Sequence, residues 1–360
     1  MSTQAQSQPI PGAGAIAGAQ SIASAPKVQR ITALDFTKGA LVLIMVLYHW
    51  INYFIGGDWE YYRYLRFLTP SFIFVTGFMI SNIYLAKYDV ADPRLPKRLI
   101  TRGLKLLAIF LALNLARIFI VPAAGTGSVS QNLLNAGNIF TVFVSGNMPV
   151  VGGKLVSFSI LVPISYLLML SGALMLPYKF YRYTFQVVCV LLLASSLALE
   201  FFGTESPNLE LVTIGLLGLL TGFLPIPAIN KFVRHPYLLG LAYVGYTIAI
   251  TIWNVPFWIQ LVGVPLSLMV IYLAGISGSG SGAIENEFIL LGKYSLFGYI
   301  SQIAILQVLA ASLRHVTLGF PMLCASFVAA FVLTILSVEV TDRLRKNVPS
   351  MDRLYKAVFA

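Results

Sequence analysis

The stretch "RITALDFTKGALVLIMVLYHW" at residues 30–50 decides the fold, because its middle is apolar enough to lie in a membrane. No charged side chain occurs between Gly39 and Leu47. A membrane-spanning helix needs about 20 mostly apolar residues, so the stretch predicts such a helix over 36–55. The same pattern recurs along the 360-residue chain, of which 58% is hydrophobic and only 10% is charged.

Apolar runs of similar length predict ten helices joined by mostly short connections. They lie at about 36–55, 65–86, 104–122, 156–176, 184–202, 208–226, 236–254, 256–276, 287–311 and 317–340. Soluble domains usually carry about a quarter charged residues, so the composition excludes an ordinary soluble protein. The predicted fold class is all-α, a polytopic membrane protein with about ten transmembrane helices.

The chain is predicted to form one transmembrane domain with a tail at each end. Residues 1–29 are rich in Ala, Ser, Gln, Gly and Pro and lack a long apolar core, which predicts a disordered tail rather than a signal peptide. Residues 30–346 form the transmembrane domain, and residues 347–360 form a short carboxy-terminal tail. The connection 123–155 is long and rich in Gly, Asn and Ser, and it is interpreted either as a re-entrant or lid segment or as a plain connector.

Basic connections predict the orientation of the chain. The most basic ones all fall on one side of a ten-helix arrangement, and that side is the cytoplasm if the amino terminus is inside. They are 87–105, 178–183, 230–235 and 341–346. Both termini are therefore expected in the cytoplasm, and the net charge of +11 is attributed to this asymmetry rather than to nucleic-acid binding.

The first predicted helix is polar at both ends, which is costly in a membrane and indicates a cavity or pathway. Asp35 and Lys38 are three residues apart, so they share a face and can form an ion pair. His49 follows Asp35 by fourteen residues, so it lies about 21 Å farther along on nearly the same face. Because Tyr48 and Trp50 flank His49, an imidazole at the membrane interface is the alternative interpretation.

Small and irregular residues predict where helices pack closely. Gly39 is expected to let another helix approach the first one. Pro70 and Gly77, in the second predicted helix, are expected to allow that helix to pack closely against the first.

Three segments of the sequence resemble the transmembrane acyltransferases. They are "RITALDFTKGA" with the Tyr48–His49 pair that follows it, "FIFVTGF" at 72–78 and, more weakly, "LGKYSLFGYISQIAI" at 291–305. The group includes the acyltransferase-3 family, the glucan succinyltransferase type and the heparan-alpha-glucosaminide N-acetyltransferase relatives. Two positions depart from its usual pattern, since Lys38 stands where Arg is usual and Gln302 where a second His is common.

The resemblance implies an integral membrane acyltransferase that moves groups other than aminoacyl groups. An acetyl or succinyl group would pass from cytoplasmic acyl-coenzyme A (acyl-CoA) to a carbohydrate acceptor at the outer face of a bacterial inner membrane. Acyl-CoA is then a donor substrate, and neither a tightly bound cofactor nor a metal is expected. The expected partners are acyl-CoA, a glycan and the lipid bilayer.

The resemblance also assigns roles to residues. It places Arg30, Asp35, Lys38 and His49 in the catalytic positions, with His49 as general base, because a neutral imidazole suits proton abstraction near pH 7. It places Thr76, Tyr299 and Gln302 among the substrate-binding positions.

Two further groups of polar residues are candidates from the sequence itself. Asn114 and Arg117 lie in the apolar run "LALNLARIFIV" and are predicted to bind substrate, with snorkelling of Arg117 to the interface as an equal alternative. Three cations on the inner side, Arg98, Arg102 and Lys105, are predicted to hold the phosphates of coenzyme A. The orientation rule explains these three cations equally well.

A second class of function stays open. A transporter or exporter of a sugar or carboxylate would use the same polar helix face and needs a pathway rather than a base. A scaffold that has kept the fold without the activity is a third interpretation, because of Lys38 and Gln302.

Overall fold

The protein is helical throughout the part of the chain that the structure describes. The structure is a computed structural model, and it describes residues 31–56, 59–85, 92–120, 141–146, 158–253, 256–278, 282–313 and 319–359. No strand occurs within these ranges. The predicted all-α, polytopic membrane architecture is confirmed.

Fourteen helices are numbered here in chain order. They are α1 Thr32–Phe54, α2 Trp59–Tyr62, α3 Leu68–Met79, α4 Arg94–Ile120, α5 Leu161–Tyr178, α6 Thr184–Phe201, α7 Pro207–Thr221, α8 Ile226–Val233, α9 Pro236–Trp253, α10 Phe257–Ser277, α11 Ala283–Lys293, α12 Ser295–Ser312, α13 Phe320–Asn347 and α14 Pro349–Phe359. A 3₁₀ turn, Arg63–Leu65, follows α2, and a π-helical segment, Ile80–Leu85, continues α3.

Nine helical segments of the described ranges are long and apolar enough to cross a membrane. The predicted helix 208–226 corresponds to α7, which has 15 residues. A bend of 103° separates α7 from α8, and the pair counts as a tenth span if both helices are taken together. Apart from residues 141–146, the long connection 123–155 lies outside the described residues.

The predicted helix 287–311 is in fact two helices. The backbone of Tyr294 leaves helical geometry, with φ −109° and ψ 26°, so α11 ends there and α12 begins at Ser295. The Tyr294 hydroxyl donates a hydrogen bond of 2.7 Å to Asp342 Oδ1 on α13. The prediction was wrong because the apolar pattern continues across the break, and the partner that stabilises the break lies far away in sequence.

The α1–α11 crossing brings two backbones into direct contact. A Cβ atom added at Gly39 would overlap the carbonyl of Phe288, and one added at Gly292 would overlap the carbonyl of Asp35. Small residues allow this approach, and close packing matters in lipid because helices gain little by hiding apolar surface from one another there. The close approach expected at Gly39 is confirmed.

The α3–α7 crossing is equally close and corrects one expectation. Gly77 lies against the backbone of Gly215 on α7, and Gly218 of α7 lies against the backbone of Phe74. The Ser81 hydroxyl adds a hydrogen bond of 2.7 Å to the carbonyl of Leu219. Gly77 therefore packs on α7 rather than on α1, because the glycines of "TIGLLGLLTG" supply the complementary small surface.

A third glycine crossing joins α4 and α5. A Cβ atom added at Gly103 would lie 2.8 Å from the carbonyl oxygen of Ser165, and one added at Gly172 would lie 3.0 Å from that of Pro96. This crossing fixes the basic end of α4 beside α5.

We predict that Gly292→Ala destabilises the protein, because the new methyl group has no space against the carbonyl of Asp35. Overpacking of this kind costs about 1–3 kcal/mol. The measurement is the thermal unfolding midpoint of detergent-purified protein. Gly240→Ala is the matched control, since no atom lies within 4 Å of a Cβ added there. Equal midpoints for the two variants would contradict the role of the crossing.

Candidate functional site

A cleft with a volume of about 280 Å³ opens between α3, α4, α5 and α12. It lies at the end of the bundle where α1 begins. Its wall is mostly apolar, and its cations are Lys38, Arg102, Lys105 and Lys293. We call it the basal cleft and use these four cations to define its mouth.

Two of the four cations form ion pairs with carboxylates. Lys38 Nζ lies 2.7 Å from Asp35 Oδ1, and both side chains are largely buried. Lys293 Nζ lies 3.4 Å from Asp342 Oδ1. The ion pair expected between Asp35 and Lys38 is therefore confirmed.

The other two cations, Arg102 and Lys105, have no neutralising carboxylate in the part of the chain that the structure describes. Among the described residues no Asp or Glu lies within ion-pair distance of either. The Arg102 guanidinium instead lies over the Tyr84 ring, 5.5 Å from its centroid. Both side chains are only partly exposed, and a partly buried charge without a partner favours binding of an anion. This mouth therefore suits a phosphate-bearing ligand.

The carboxy-terminal helix α14 forms part of the cleft wall. Tyr355, Val358 and Phe359 line the basal cleft. Arg345 on α13 donates two hydrogen bonds, of 3.0 and 2.6 Å, to Asp352 Oδ1. Hydrogen bonds from Lys356 and Arg345 lower the pKa of Asp352, so this carboxyl remains charged at neutral pH. The short tail predicted at 347–360 is thus a helix held against the mouth of the cleft.

Aromatic side chains close the deep end of the basal cleft. Tyr299 on α12 and Phe72 on α3 both line the cleft, and their ring centroids are 6.3 Å apart. The Phe158 ring meets Tyr299 edge-on at 6.2 Å. The His49 ring lies 6.4 Å from that of Tyr299 and is not part of the cleft lining.

Beyond Tyr299, His49 belongs to a row of aromatic rings. Tyr48 packs edge-on against His49 at 5.1 Å and against Tyr62 at 5.4 Å. The Nε2 atom of His49 is buried. The residue as a whole is partly exposed, so the imidazole packs against the bundle through its Nε2 edge.

The structure brings five of the predicted site residues to the basal cleft. They are Lys38, Thr76, Arg102, Lys105 and Tyr299. Asp35 joins them through its ion pair with Lys38, and His49 lies one ring away.

Three other predicted residues lie elsewhere. Arg98 is exposed and lies outside the cleft lining. Asn114 is buried and donates a hydrogen bond of 2.9 Å to the carbonyl of Phe110. Gln302 is fully buried one turn beyond Tyr299. Arg30 and the side chain of Arg117 lie outside the described residues.

Sequence reasoning missed Lys293, Asp342 and helix α14. Asp342 is 5% exposed and receives the Tyr294 hydroxyl besides its two lysines, Lys293 and Lys346. A carboxylate four residues after the uncharged run "FVLTILSV" was a usable signal, because a charge at that depth needs partners. The role of α14 had no such signal, since an amphipathic tail does not reveal what it covers.

We predict that Asp342→Asn destabilises the protein more than Glu339→Gln does. The first variant deprives Lys293 of its carboxylate and weakens the Tyr294 hydrogen bond, for which we expect about 1–3 kcal/mol. Glu339 pairs with Arg343, whose side chain is 70% exposed, so its loss should cost less than about 0.5 kcal/mol. Unfolding midpoints of the two variants in the same detergent test this order, and the reverse order would refute it.

Comparison of the chain with models of protein families, with curated proteins and with solved structures finds no match in any of the three. The basal cleft and the His49 cluster are accordingly interpreted from their own chemistry.

Proposed function

We propose that this multi-pass membrane protein is an acyltransferase that takes an acyl group from acyl-CoA at the basal cleft. The observation that carries the proposal is the cleft itself, with two cations at its mouth that no described carboxylate neutralises and with His49 packed beside Tyr299 at its deep end. We propose further that the mouth faces the cytoplasm of a bacterial cell, that both termini lie there, and that a carbohydrate acceptor reaches His49 from the opposite side.

The charge and shape of the cleft suit this donor. Coenzyme A carries phosphates at one end and a thioester on a long, mostly uncharged arm at the other. Arg102 and Lys105 would hold the phosphates, since Arg offers paired donors to phosphate oxygens and Lys a point charge. The apolar walls of α3 and α5 would surround the arm, which directs the thioester toward Tyr299 and His49.

The proposed chemistry is a single acyl transfer. An acceptor hydroxyl or amine attacks the thioester carbonyl, and His49 takes the proton that the acceptor loses. The new bond to the acceptor forms as the carbon–sulfur bond breaks, and coenzyme A leaves as the thiolate. Lys38 and Asp35 neutralise each other, so their pair would orient the donor at the mouth rather than take part in the proton transfer.

We predict that His49→Gln lowers acyl-CoA turnover about a hundredfold to ten-thousandfold, because Gln forms hydrogen bonds but cannot accept the proton. Turnover is measured as thiol release in membranes that contain matched amounts of protein. His235→Gln is the control, since His235 is an exposed histidine next to α9 and distant in sequence from the cleft residues. Near-normal turnover in His49→Gln would reject the general-base role.

We predict that Arg102→Gln raises KM for acyl-CoA about tenfold, because a hydrogen bond to a charged group contributes about 1.5–3 kcal/mol. Arg98→Gln is the matched control: Arg98 lies one turn away on the same helix but outside the cleft. The increase should shrink at high salt, which screens the charge. If Arg98→Gln and Arg102→Gln change KM equally, the phosphate site does not lie in the cleft.

A transporter remains the second candidate, and one observation favours it. Tyr299 lines the cleft and His49 packs beside it outside the cleft lining, so the two would be reached separately, as the two half-pathways of a transporter are. Thiol release from acyl-CoA by the purified protein separates the two candidates, because a transporter leaves the thioester intact.

A further inference from the structure

Tyr299 separates the basal cleft from the cluster that contains His49. It lines the cleft, and its ring centroid lies 6.4 Å from that of His49. Phe72 and Phe158 pack around the same ring at 6.3 and 6.2 Å. We call Tyr299, Phe72 and Phe158 the aromatic barrier. In this conformation a molecule in the cleft cannot touch His49 unless Tyr299 moves.

The backbone of Phe158, one of the three barrier residues, is strained. Phe158 is the one non-glycine residue of the described ranges with positive φ, at 63°. Bulky side chains rarely adopt this left-handed conformation, and such outliers persist where the surrounding structure enforces them. Phe158 is 6% exposed, and its ring meets Tyr299 edge-on. The strained residue is thus a member of the barrier.

Gln302 places a buried polar group next to the barrier. It lies one turn beyond Tyr299 on α12 and is 0% exposed. Neither its amide nitrogen nor its amide oxygen has a hydrogen-bond partner among the described residues. Buried polar groups are normally paired, so this amide is a place beside the barrier where water or a polar ligand would be bound.

We infer that Tyr299 is a movable barrier that determines which molecules pass from the basal cleft to His49. With Tyr299 in the observed position, water and ions in the cleft are kept from His49. A change of the Tyr299 side chain to another staggered conformation would join the two spaces and give the Gln302 amide a polar partner. The inference does not depend on acyl transfer, because a transporter would need the same separation.

The test measures the accessibility of position 49 from the cleft side. Cys189 and Cys324 are replaced by Ala, and His49→Cys supplies the thiol. Sealed vesicles with the cleft side outward are treated with a small, membrane-impermeant methanethiosulfonate reagent. We expect slow labelling with Tyr299 present and labelling at least about tenfold faster with Tyr299→Ala, a ratio that corresponds to about 1.4 kcal/mol.

Two controls separate the barrier from general loosening of the protein. Thr76→Cys lies on the cleft wall and should be labelled at the same rate with Tyr299 or Ala at position 299. Tyr355→Ala removes a ring of the same size from the mouth of the same cleft and should not accelerate labelling of His49→Cys.

Each outcome decides the inference. Labelling of His49→Cys that is equally fast with Tyr299 in place, or equally slow after its removal, overturns it. If Tyr299→Ala does not accumulate in membranes, Tyr299→Leu and Phe158→Leu are measured in the same way and are held to the same criterion. The labelling test measures no enzymatic activity. It can therefore refute the barrier in a protein that transfers acyl groups, and it can support the barrier in a protein that does not.

Discussion

Close backbone contact at glycine is the constraint on which the rest of this structure depends. In a bilayer, helices gain little by burying apolar side chains against one another, so van der Waals packing between small residues carries their association. Gly39 and Gly292 join α1 to α11, Gly77 and Gly215 join α3 to α7, and Gly103 joins α4 to α5. These three crossings place the polar ends of α1, α4 and α11 around one cleft. A methyl group at a crossing would separate the helices and so displace the cations at its mouth.

The electrostatics of the cleft follow from that arrangement. Isolated charges near lipid are costly, and two of the four cations form ion pairs with Asp35 and Asp342. Arg102 and Lys105 keep an excess of positive charge at the mouth. An anion is the natural complement to that excess, and it would find an apolar passage behind the cations. The cations at the mouth would thus bind the charged end of a ligand. The apolar walls of the same cleft would surround its uncharged remainder.

The aromatic barrier formed by Tyr299, Phe72 and Phe158 bears on both candidate functions. Tyr299 lines the cleft whose mouth holds the cations, and its ring also packs beside His49, which lies outside the cleft lining. Separation of this kind keeps water away from a reactive thioester in an enzyme, and keeps ions from crossing in a transporter. The Phe158 ring contacts Tyr299 and its backbone has positive φ, and the Gln302 amide one turn along α12 has no hydrogen-bond partner among the described residues. Both features mean that the observed position of Tyr299 depends on the residues packed around it.

The sequence by itself determined the membrane class, the approximate helix positions, the Asp35–Lys38 pair and the close approach at Gly39. All of these follow from local spacing and from the cost of polar groups in lipid. Tertiary structure alone decided that Gly77 packs on α7, that 287–311 breaks at Tyr294 and that Arg102, unlike Arg98, lines the cleft. Helical periodicity fixes the face on which a side chain lies but not which distant helix covers that face. The partners Asp342 and α14 are remote in sequence, so only the packing of the whole bundle brings them to the site.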